Sequence, residues 1–262
     1  MRIALGLEYD GAAFCGWQSQ PSGCGVQDHL QRALARFADA PIEVTAAGRT
    51  DAGVHATAQV VHFDSPVRRD DYSWVRGTNT FLDERARVMW AAEVPGDFHA
   101  RYGARSRTYR YLLVDAPVAP AILAGRVGWH HRPLDADAMA RAASLLLGSH
   151  DFGAFRDAQC QAKSPVRDLL EARVARSGPV VGFTFRANAF LHHMIRNIVG
   201  SLVYVGDGRH PVEWIAELLE ARDRRLAAPT FMPDGLYLAA VEYDPAVGLP
   251  KFPPHPLLDR IA

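Results

Sequence analysis

Lysine is almost absent from this chain, although basic residues as a class are not. Only Lys163 and Lys251 occur, and arginine supplies the rest of the 29 basic residues. Because 29 acidic residues balance them, the formal net charge is zero, which excludes binding of nucleic acid through a general positive field. The planar guanidinium of arginine suits phosphates and base edges. A coding bias toward arginine explains the ratio equally well, so local arginine clusters are the better evidence.

Cysteine is also scarce, and long apolar runs are missing. Three cysteines, Cys15, Cys24 and Cys160, fit a reducing cytoplasm and not a disulfide framework. The chain has no Cys-x-x-Cys, no His-Glu-x-x-His and no Gly-rich phosphate loop, so we expect no metal and no cofactor. The N-terminus is charged too early for a signal peptide, and no apolar run approaches the roughly 20 residues of a membrane span. We therefore expect a cytoplasmic protein without a membrane partner.

The N-terminal part of the chain follows the order β-α-β-β-α-β. Alternating apolar residues predict a first strand with one buried face: Ile3, Leu5, Leu7 and Tyr9. Apolar residues at helical spacing predict a helix between Val26 and Phe37. Strands are expected at 42–46 and 57–65, a helix interrupted by Gly77 at 72–82, and a strand at 88–94. This order is the split-βαβ pattern of ferredoxin-like folds.

The C-terminal part repeats the order without obvious sequence identity. Strands are expected at 107–114, 166–175, 180–187 and 236–243, and helices at 135–147, 191–205 and 212–221. Residues 115–133 and the tail after Pro245 are expected to be irregular. The predicted fold class is α+β, with two ferredoxin-like units, residues 1–104 and 105–262. We expect their antiparallel sheets side by side, helices on the sheet faces, and an active-site cleft between the units.

One polar segment stands between the two strands predicted at 42–46 and 57–65. Residues 48–56 read Gly-Arg-Thr-Asp-Ala-Gly-Val-His-Ala. Gly48 and Gly53 bracket a cation, Arg49, and a carboxylate, Asp51, and glycine adopts unusual backbone angles at little cost. A carboxylate on such a loop is a reasonable nucleophile or base. The alternative is a polar hairpin connection in which Asp51 bonds its own backbone.

The segment 48–56 resembles the active-site motif of the tRNA pseudouridine synthase A family. Six further signatures follow the same order along nearly the whole chain, at 9–18, 98–101, 107–111, 151–152, 187–197 and 235–238. Two departures are visible. Ala12 stands where the family usually has a hydroxyl residue, and Asp83 stands where a proline is common; neither lies in the catalytic motif.

The resemblance implies an isomerase that acts on uridines of the tRNA anticodon stem-loop, at positions 38, 39 and 40. Such an enzyme breaks the N1–C1′ glycosidic bond, turns the uracil and rejoins it through C5. The resemblance further implies a homodimer, one tRNA that contacts both subunits, and no metal or cofactor.

Individual roles also follow from the resemblance. Asp51, ionised at neutral pH, is the catalytic aspartate, and it either attacks the sugar carbon or deprotonates the sugar toward a glycal. Arg196 pairs with that carboxylate, and Tyr109 stacks on the flipped uracil. Leu236 forms an apolar wall beneath the base, and Arg49 fills the space that the extruded nucleotide leaves.

Each of these roles has an alternative that the sequence leaves open. Tyr109 lies in an alternating strand and is equally suited to the core, and an arginine in an apolar helix, such as Arg196, commonly extends to the surface. His192 and His193 resemble a ligand pair, but adjacent residues of a helix point apart, which favours polar packing or RNA contact. Contacts to the RNA backbone are expected from one basic cluster: Arg105, Arg107 and Arg110.

Two other classes of function compete with the isomerase. The element order is also that of the RRM, a non-catalytic RNA-binding module, but no strand motif of that module occurs. A nucleosidase with paired carboxylates would need a second acid beside Asp51, and the motif offers only Arg49 and Thr50. The nucleosidase would release free uracil, which distinguishes it from the isomerase.

Overall fold

The computed structural model describes residues 1–255 and residue 258. This part of the chain divides into two compact units, the first made of residues 1–105 and 237–255 and the second mainly of residues 106–236. The boundary after residue 105 lies one residue from the predicted one. Residues 237–255, expected in the C-terminal domain, belong to the first unit instead.

Both units are α+β, as predicted. Within the described residues the strands are β1 (Arg2–Tyr9), β2 (Thr45–Ala46), β3 (His55–Asp64), β4 (Ala86–Val94), β5 (Ser106–Asp115), β6 (Gly128–His130), β7 (Gly148–Asp151), β8 (Val166–Ser177), β9 (Val180–Ala187) and β10 (Leu236–Glu242). The helices are α1 (Val26–Ala38), α2 (Asp71–Phe81), α3 (Ala136–Ser144), α4 (Met194–Gly206) and α5 (Trp214–Ala221). Among the residues placed by the structure, no helix is long and apolar enough to cross a membrane.

The sheet of the first unit is built around β3. Strand β1 lies between β4 and β3 and is antiparallel to both. The other edge of β3 is divided between two short partners. β2 pairs antiparallel with Val61 and His62, and β10 pairs parallel with His55 and Ala56. The C-terminal strand therefore completes the N-terminal sheet, which is why residues 237–255 group with the first unit.

Strand β2 is shorter than the predicted strand at 42–46. The backbone N–H of Val44 donates to Oε1 of Gln31 at 3.0 Å, and its C=O accepts from Nε2 of Gln27 at 3.4 Å. Both glutamines belong to α1. Their side chains take the backbone bonds that a longer strand would have used for its ladder.

One face of this sheet is covered by α1 and α2. The indole of Trp74 is fully buried and meets the rings of Phe37 and Phe63 edge-to-face, with centroids 5.3 and 5.2 Å away. Gly77, expected to interrupt α2, lies within it. A methyl group at Gly77 would stand 2.0 Å from the ring of Phe37, so the missing side chain allows the two helices to approach.

The opposite face of the sheet is also covered, and the prediction of one buried face for β1 is wrong. Ala4 is as fully buried as its neighbour Ile3. Ala4 belongs to an apolar cluster with Trp90 and Phe98, which is covered by residues from the C-terminal segment: Val241, Tyr243, Val247, Leu249 and Phe252. Strands buried on both faces lose their alternation, and the cover here comes from the far end of the sequence.

The sheet of the second unit has the order β5-β9-β8-β7, with every neighbouring pair antiparallel. β9 lies between β5 and β8, as the third strand of a ferredoxin-like unit does between the first and second. Two short strands were not predicted: β6, which is parallel to β5 and lies in the expected connection 115–133, and β7. α4 begins at Met194, later than predicted, because His193 adopts a left-handed conformation with φ 59°.

Cys15 and Cys24 form a disulfide, contrary to the expectation of a chain without one. Their backbones are joined as well, since the N–H of Cys15 donates to the C=O of Cys24 at 3.1 Å. The next residues repeat this pairing, with the N–H of Val26 donating to the C=O of Gly16 at 3.0 Å. This backbone pairing brings the two sulfurs together, which a count of cysteines cannot show. Cys160 carries a free thiol.

Replacing Gly77 with alanine should destabilise the first unit although alanine favours helices. The added methyl group collides with the ring of Phe37, and overpacking of this kind typically costs about 1–3 kcal/mol. Urea unfolding of Gly77→Ala should show the loss. Gly96→Ala is the control, because open space surrounds Gly96. Equal stability of the two variants would contradict the close packing of α1 on α2.

Cys15→Ser should lower the free energy of unfolding in non-reducing buffer by about 2–3 kcal/mol. The bridge links residues nine positions apart, and a short closed loop restricts the unfolded chain by about that amount. With dithiothreitol, the variant and the wild type should unfold alike. Cys160→Ser serves as the control for loss of a thiol. Identical unfolding curves for Cys15→Ser and the wild type without reductant would rule out the bridge in solution.

Candidate active site

The loop that carries Asp51 is a tight turn between β2 and β3. The N–H of Val54 donates to the C=O of Asp51 at 3.1 Å, and Gly53 has φ 81°, a conformation that other residues rarely adopt. Val54 is buried and anchors the end of the turn. Asp51 is half-buried and Arg49 is exposed. The backbone of the turn is therefore fixed, while the Asp51 carboxylate is partly accessible and the Arg49 guanidinium is exposed to solvent.

A second segment of the first unit, at Gly16 and Trp17, lies against the backbone of this loop. The N–H of Trp17 donates to the C=O of Thr50 at 2.9 Å. Gly16 has φ 89°, and a Cβ there would lie 2.9 Å from the oxygen of Thr50 and 3.0 Å from the nitrogen of Ala52. Only glycine allows this approach. The two chain segments are in backbone contact on both sides of Asp51.

Three buried polar side chains hold the loop from inside. The Tyr9 hydroxyl is hydrogen-bonded to Oγ1 of Thr50 at 2.8 Å. Nε2 of Gln59 donates to the C=O of Gly48 at 2.7 Å and to the Tyr9 hydroxyl at 3.4 Å. Burial raises the pKa of Tyr9 to about 12, against the opposing effect of these hydrogen bonds. Tyr9 is therefore a neutral hydrogen-bonding group at physiological pH.

The start of β3 is fixed in the same way. The Nδ1 atom of His55 accepts the N–H of Gly11 at 3.0 Å, and its ring stacks on Tyr237 of β10 with centroids 4.6 Å apart. A Cβ at Gly11 would lie 2.0 Å from the oxygen of Val54. The residues that follow β1 thus lie directly against the end of the loop that carries Asp51.

The remaining predicted residues of the uridine site lie in the second unit. Tyr109 of β5 is 8% exposed and packs edge-on against Phe190, with centroids 5.2 Å apart. Nε of Arg196 donates to the C=O of Phe231 at 2.8 Å, while the N–H of Phe231 donates back to the C=O of Arg196 at 3.2 Å. Arg196 is half-buried and does not extend freely to the surface. Leu236, at the start of β10, is buried.

The three arginines expected to contact the RNA backbone do not share one environment. Arg105 forms an ion pair with Asp244, and Arg107 donates to the C=O of Asn188 at 2.8 Å. Arg107 and Arg110 lie an odd number of positions apart in the regular strand β5, so they project from opposite faces. The cluster in the sequence is therefore not one cluster on one face of the strand.

His192 and His193 do not point apart as the prediction assumed. Both precede α4, and their rings lie 3.9 Å apart. The left-handed conformation of His193 turns the chain so that Nδ1 of both rings faces Asp157, at 2.8 Å from His193 and 3.4 Å from His192. Asp157 is therefore a partner of both rings, and polar packing or RNA contact stays the favoured prediction for this pair.

Sequence reasoning missed the groups that support the loop of Asp51. Tyr9 lies in the signature at 9–18 and His55 in the motif at 48–56, but the sequence predicted no role for either, nor for Gln59. One signal was present: Gln59 is a polar residue inside the apolar run of β3, where its side chain must find partners in the core. The partners themselves, in β1 and in the loop, are distant in sequence.

Comparison with known proteins identifies the family of this chain. The family model described as tRNA pseudouridine synthase matches residues 7–103 and 142–244, which is more than half of the chain. The chain belongs to this tRNA pseudouridine synthase family. The match includes the loop of Asp51 and the segment of Arg196, but it leaves out Tyr109 in β5.

Relatives in the same family are similar over almost their full length. The chain is 59% identical to a protein of Paraburkholderia phytofirmans over 95% of this chain and 92% of the relative. It is 59% identical to a protein of Burkholderia mallei over 95% and 93% of the two chains. Both relatives are named tRNA pseudouridine synthase A.

Proposed function

We propose that this protein isomerises uridine to pseudouridine in tRNA, in the anticodon stem-loop at positions 38, 39 and 40. The observation that carries the proposal is a half-buried carboxylate, Asp51, on a loop fixed from both sides, within a chain of the tRNA pseudouridine synthase family. The names of its close relatives support the reaction and the tRNA substrate. The resemblance of the ordered sequence motifs to the tRNA pseudouridine synthase A family supports positions 38, 39 and 40 of the tRNA as the target.

Asp51 begins the reaction in this proposal. Its carboxylate attacks C1′ of the ribose or removes a sugar proton to form a glycal, and the N1–C1′ bond breaks. The released uracil turns within the site, and C5 bonds to C1′. In the nucleophilic route the bond between Asp51 and C1′ breaks in this step, and in the glycal route the proton that Asp51 removed returns to C2′ of the sugar. The proton on C5 is lost, and N1 gains a proton, so substrate and product are isomers. No outside reactant is consumed.

The other residues hold the flipped nucleotide and the carboxylate. Tyr109 stacks on the uracil, because an aromatic face grips any base, and Leu236 closes the site beneath it. Arg196 pairs with Asp51 and keeps the carboxylate ionised and oriented. Arg49 occupies the position vacated in the stem, a role that suits its exposure beside Asp51.

Binding of the tRNA backbone rests on separate arginines and not on a general field. Arg105 and Arg107 are the contacts we propose first, with Arg110 contacting RNA on the opposite face of β5. Because Arg105 is paired with Asp244, RNA would have to compete with that carboxylate for it. We further propose that the enzyme works as a homodimer in the cytoplasm and needs no cofactor.

Asp51→Asn should abolish pseudouridine formation and leave the affinity for tRNA within about twofold, because the amide cannot act as a nucleophile or base. The assay follows tritium release from tRNA labelled at uracil C5. Asp97→Asn, which changes an exposed carboxylate in the same unit, should retain wild-type activity.

Three outcomes of that assay would contradict the proposal. Measurable single-turnover isomerisation by Asp51→Asn would remove the catalytic role of Asp51. Free uracil as the wild-type product would indicate a nucleosidase. Binding of tRNA by the wild type with no tritium release would favour a non-catalytic RNA-binding protein.

Tyr109→Ala should slow the single-turnover rate by about tenfold to a hundredfold, because stacking on a base contributes roughly 1–3 kcal/mol. Tyr109→Phe should keep the stacking and most of the rate, unless the hydroxyl transfers a proton. Stacking carries no counterion release, so the salt dependence of tRNA binding should not change. A lower melting temperature with an unchanged rate for Tyr109→Ala would assign the ring to the core alone.

A further inference from the structure

We propose that the Tyr9 hydroxyl and the Gln59 carboxamide are positioning residues for catalysis, acting through the two residues Gly48 and Thr50 on the N-terminal side of Asp51. This inference rests on the proposed catalytic role of Asp51. Neither side chain needs to touch the substrate. Their effect is to fix where the loop backbone holds the carboxylate.

The first step of the argument is the orientation of Gln59. Its side chain is fully buried, and both N–H groups of its carboxamide are used, one on the C=O of Gly48 and one on the Tyr9 hydroxyl. Its Oε1 atom accepts the N–H of Val60 at 3.2 Å. With every polar atom engaged, the carboxamide has one arrangement, and Gly48 at the loop entrance is tied to β3.

The second step concerns the hydrogen bond between Tyr9 and Thr50. The Tyr9 oxygen accepts an N–H of Gln59 at 3.4 Å and is hydrogen-bonded to Oγ1 of Thr50 at 2.8 Å, where either hydroxyl can donate. Both side chains are buried, so no water replaces a lost partner. The C=O of Thr50 is held from the other side by the N–H of Trp17. Thr50 is thus fixed through its side chain and its backbone, one peptide bond before Asp51.

The third step links this fixation to the reaction. A buried polar chain adds little net stability, since apolar side chains of the same shape can fill a core as well. It does impose one geometry. A displacement of about 1 Å at a reacting group can slow a reaction a hundredfold. The polar chain connects β1, β3 and the two residues that set the direction of Asp51, which favours a role in rate over one in stability.

The test compares isosteric pairs by single-turnover kinetics, tRNA affinity and thermal melting. Thr50→Val removes the hydroxyl and Thr50→Ser retains it; Tyr9→Phe and Gln59→Met remove the other members of the chain. We expect Thr50→Val, Tyr9→Phe and Gln59→Met to lower the rate constant by about tenfold or more while tRNA affinity stays within about twofold. Thr50→Ser should keep most of the rate.

Tyr243→Phe is the matched control. The Tyr243 hydroxyl donates to the C=O of Ala100, a residue of the same unit outside the segment 48–56. This variant should lose stability to a similar degree and keep the wild-type rate. Because Tyr9 and Thr50 share one hydrogen bond, the double variant Tyr9→Phe, Thr50→Val should be no slower than the slower single variant.

Two results would overturn the proposal. One is a wild-type rate in both Tyr9→Phe and Thr50→Val. The other is a loss of rate that only follows the loss of folded protein, equal in Tyr243→Phe. Asp51→Asn, measured in parallel, separates the two levels of inference. If Asp51→Asn is inactive and the Tyr9 and Thr50 variants are fully active, only the positioning role fails. An active Asp51→Asn removes both roles.

Discussion

The geometry of the loop that carries Asp51 depends on one buried carboxamide, that of Gln59. Away from water, its two N–H groups must find acceptors within the protein, and leaving one unmatched costs about 1–3 kcal/mol. The acceptors are the C=O of Gly48 and the Tyr9 hydroxyl, one in the loop and one in β1. The requirement that any buried polar group be satisfied thus fixes the position of the Asp51 loop relative to the sheet.

Three glycines fix the Asp51 loop in addition to the Gln59 carboxamide. Gly16 and Gly11 allow the segment after β1 to lie against the loop at backbone distance, and Gly53 closes the turn behind Asp51. Side chains at these positions would hold the segments apart. The loop is consequently rigid for two independent reasons, close backbone contact on one side and hydrogen bonds on the other. Arg49 and Asp51 are its accessible charged side chains.

Local periodicity predicted most elements of both units, because helices such as α1 and α3 bury one stripe of their own. It could not predict features whose partners are distant in the chain. β1 is covered on its second face by residues beyond 240, and Cys15 meets Cys24 only because their backbones pair. Asp51 was identified by motif, but Gln59 was not, since its role becomes visible only with β1 and the loop in place.

The shared edge of β3 has a consequence for the order of synthesis. The half of that edge nearest the Asp51 loop pairs with Tyr237 and Leu238, and the second apolar face of the sheet is covered by residues such as Phe252. On the ribosome, the N-terminal unit therefore stays unfinished while the whole second unit emerges. A chain stalled before β10 exposes an open strand edge beside an apolar face, the combination that invites aggregation and chaperone binding.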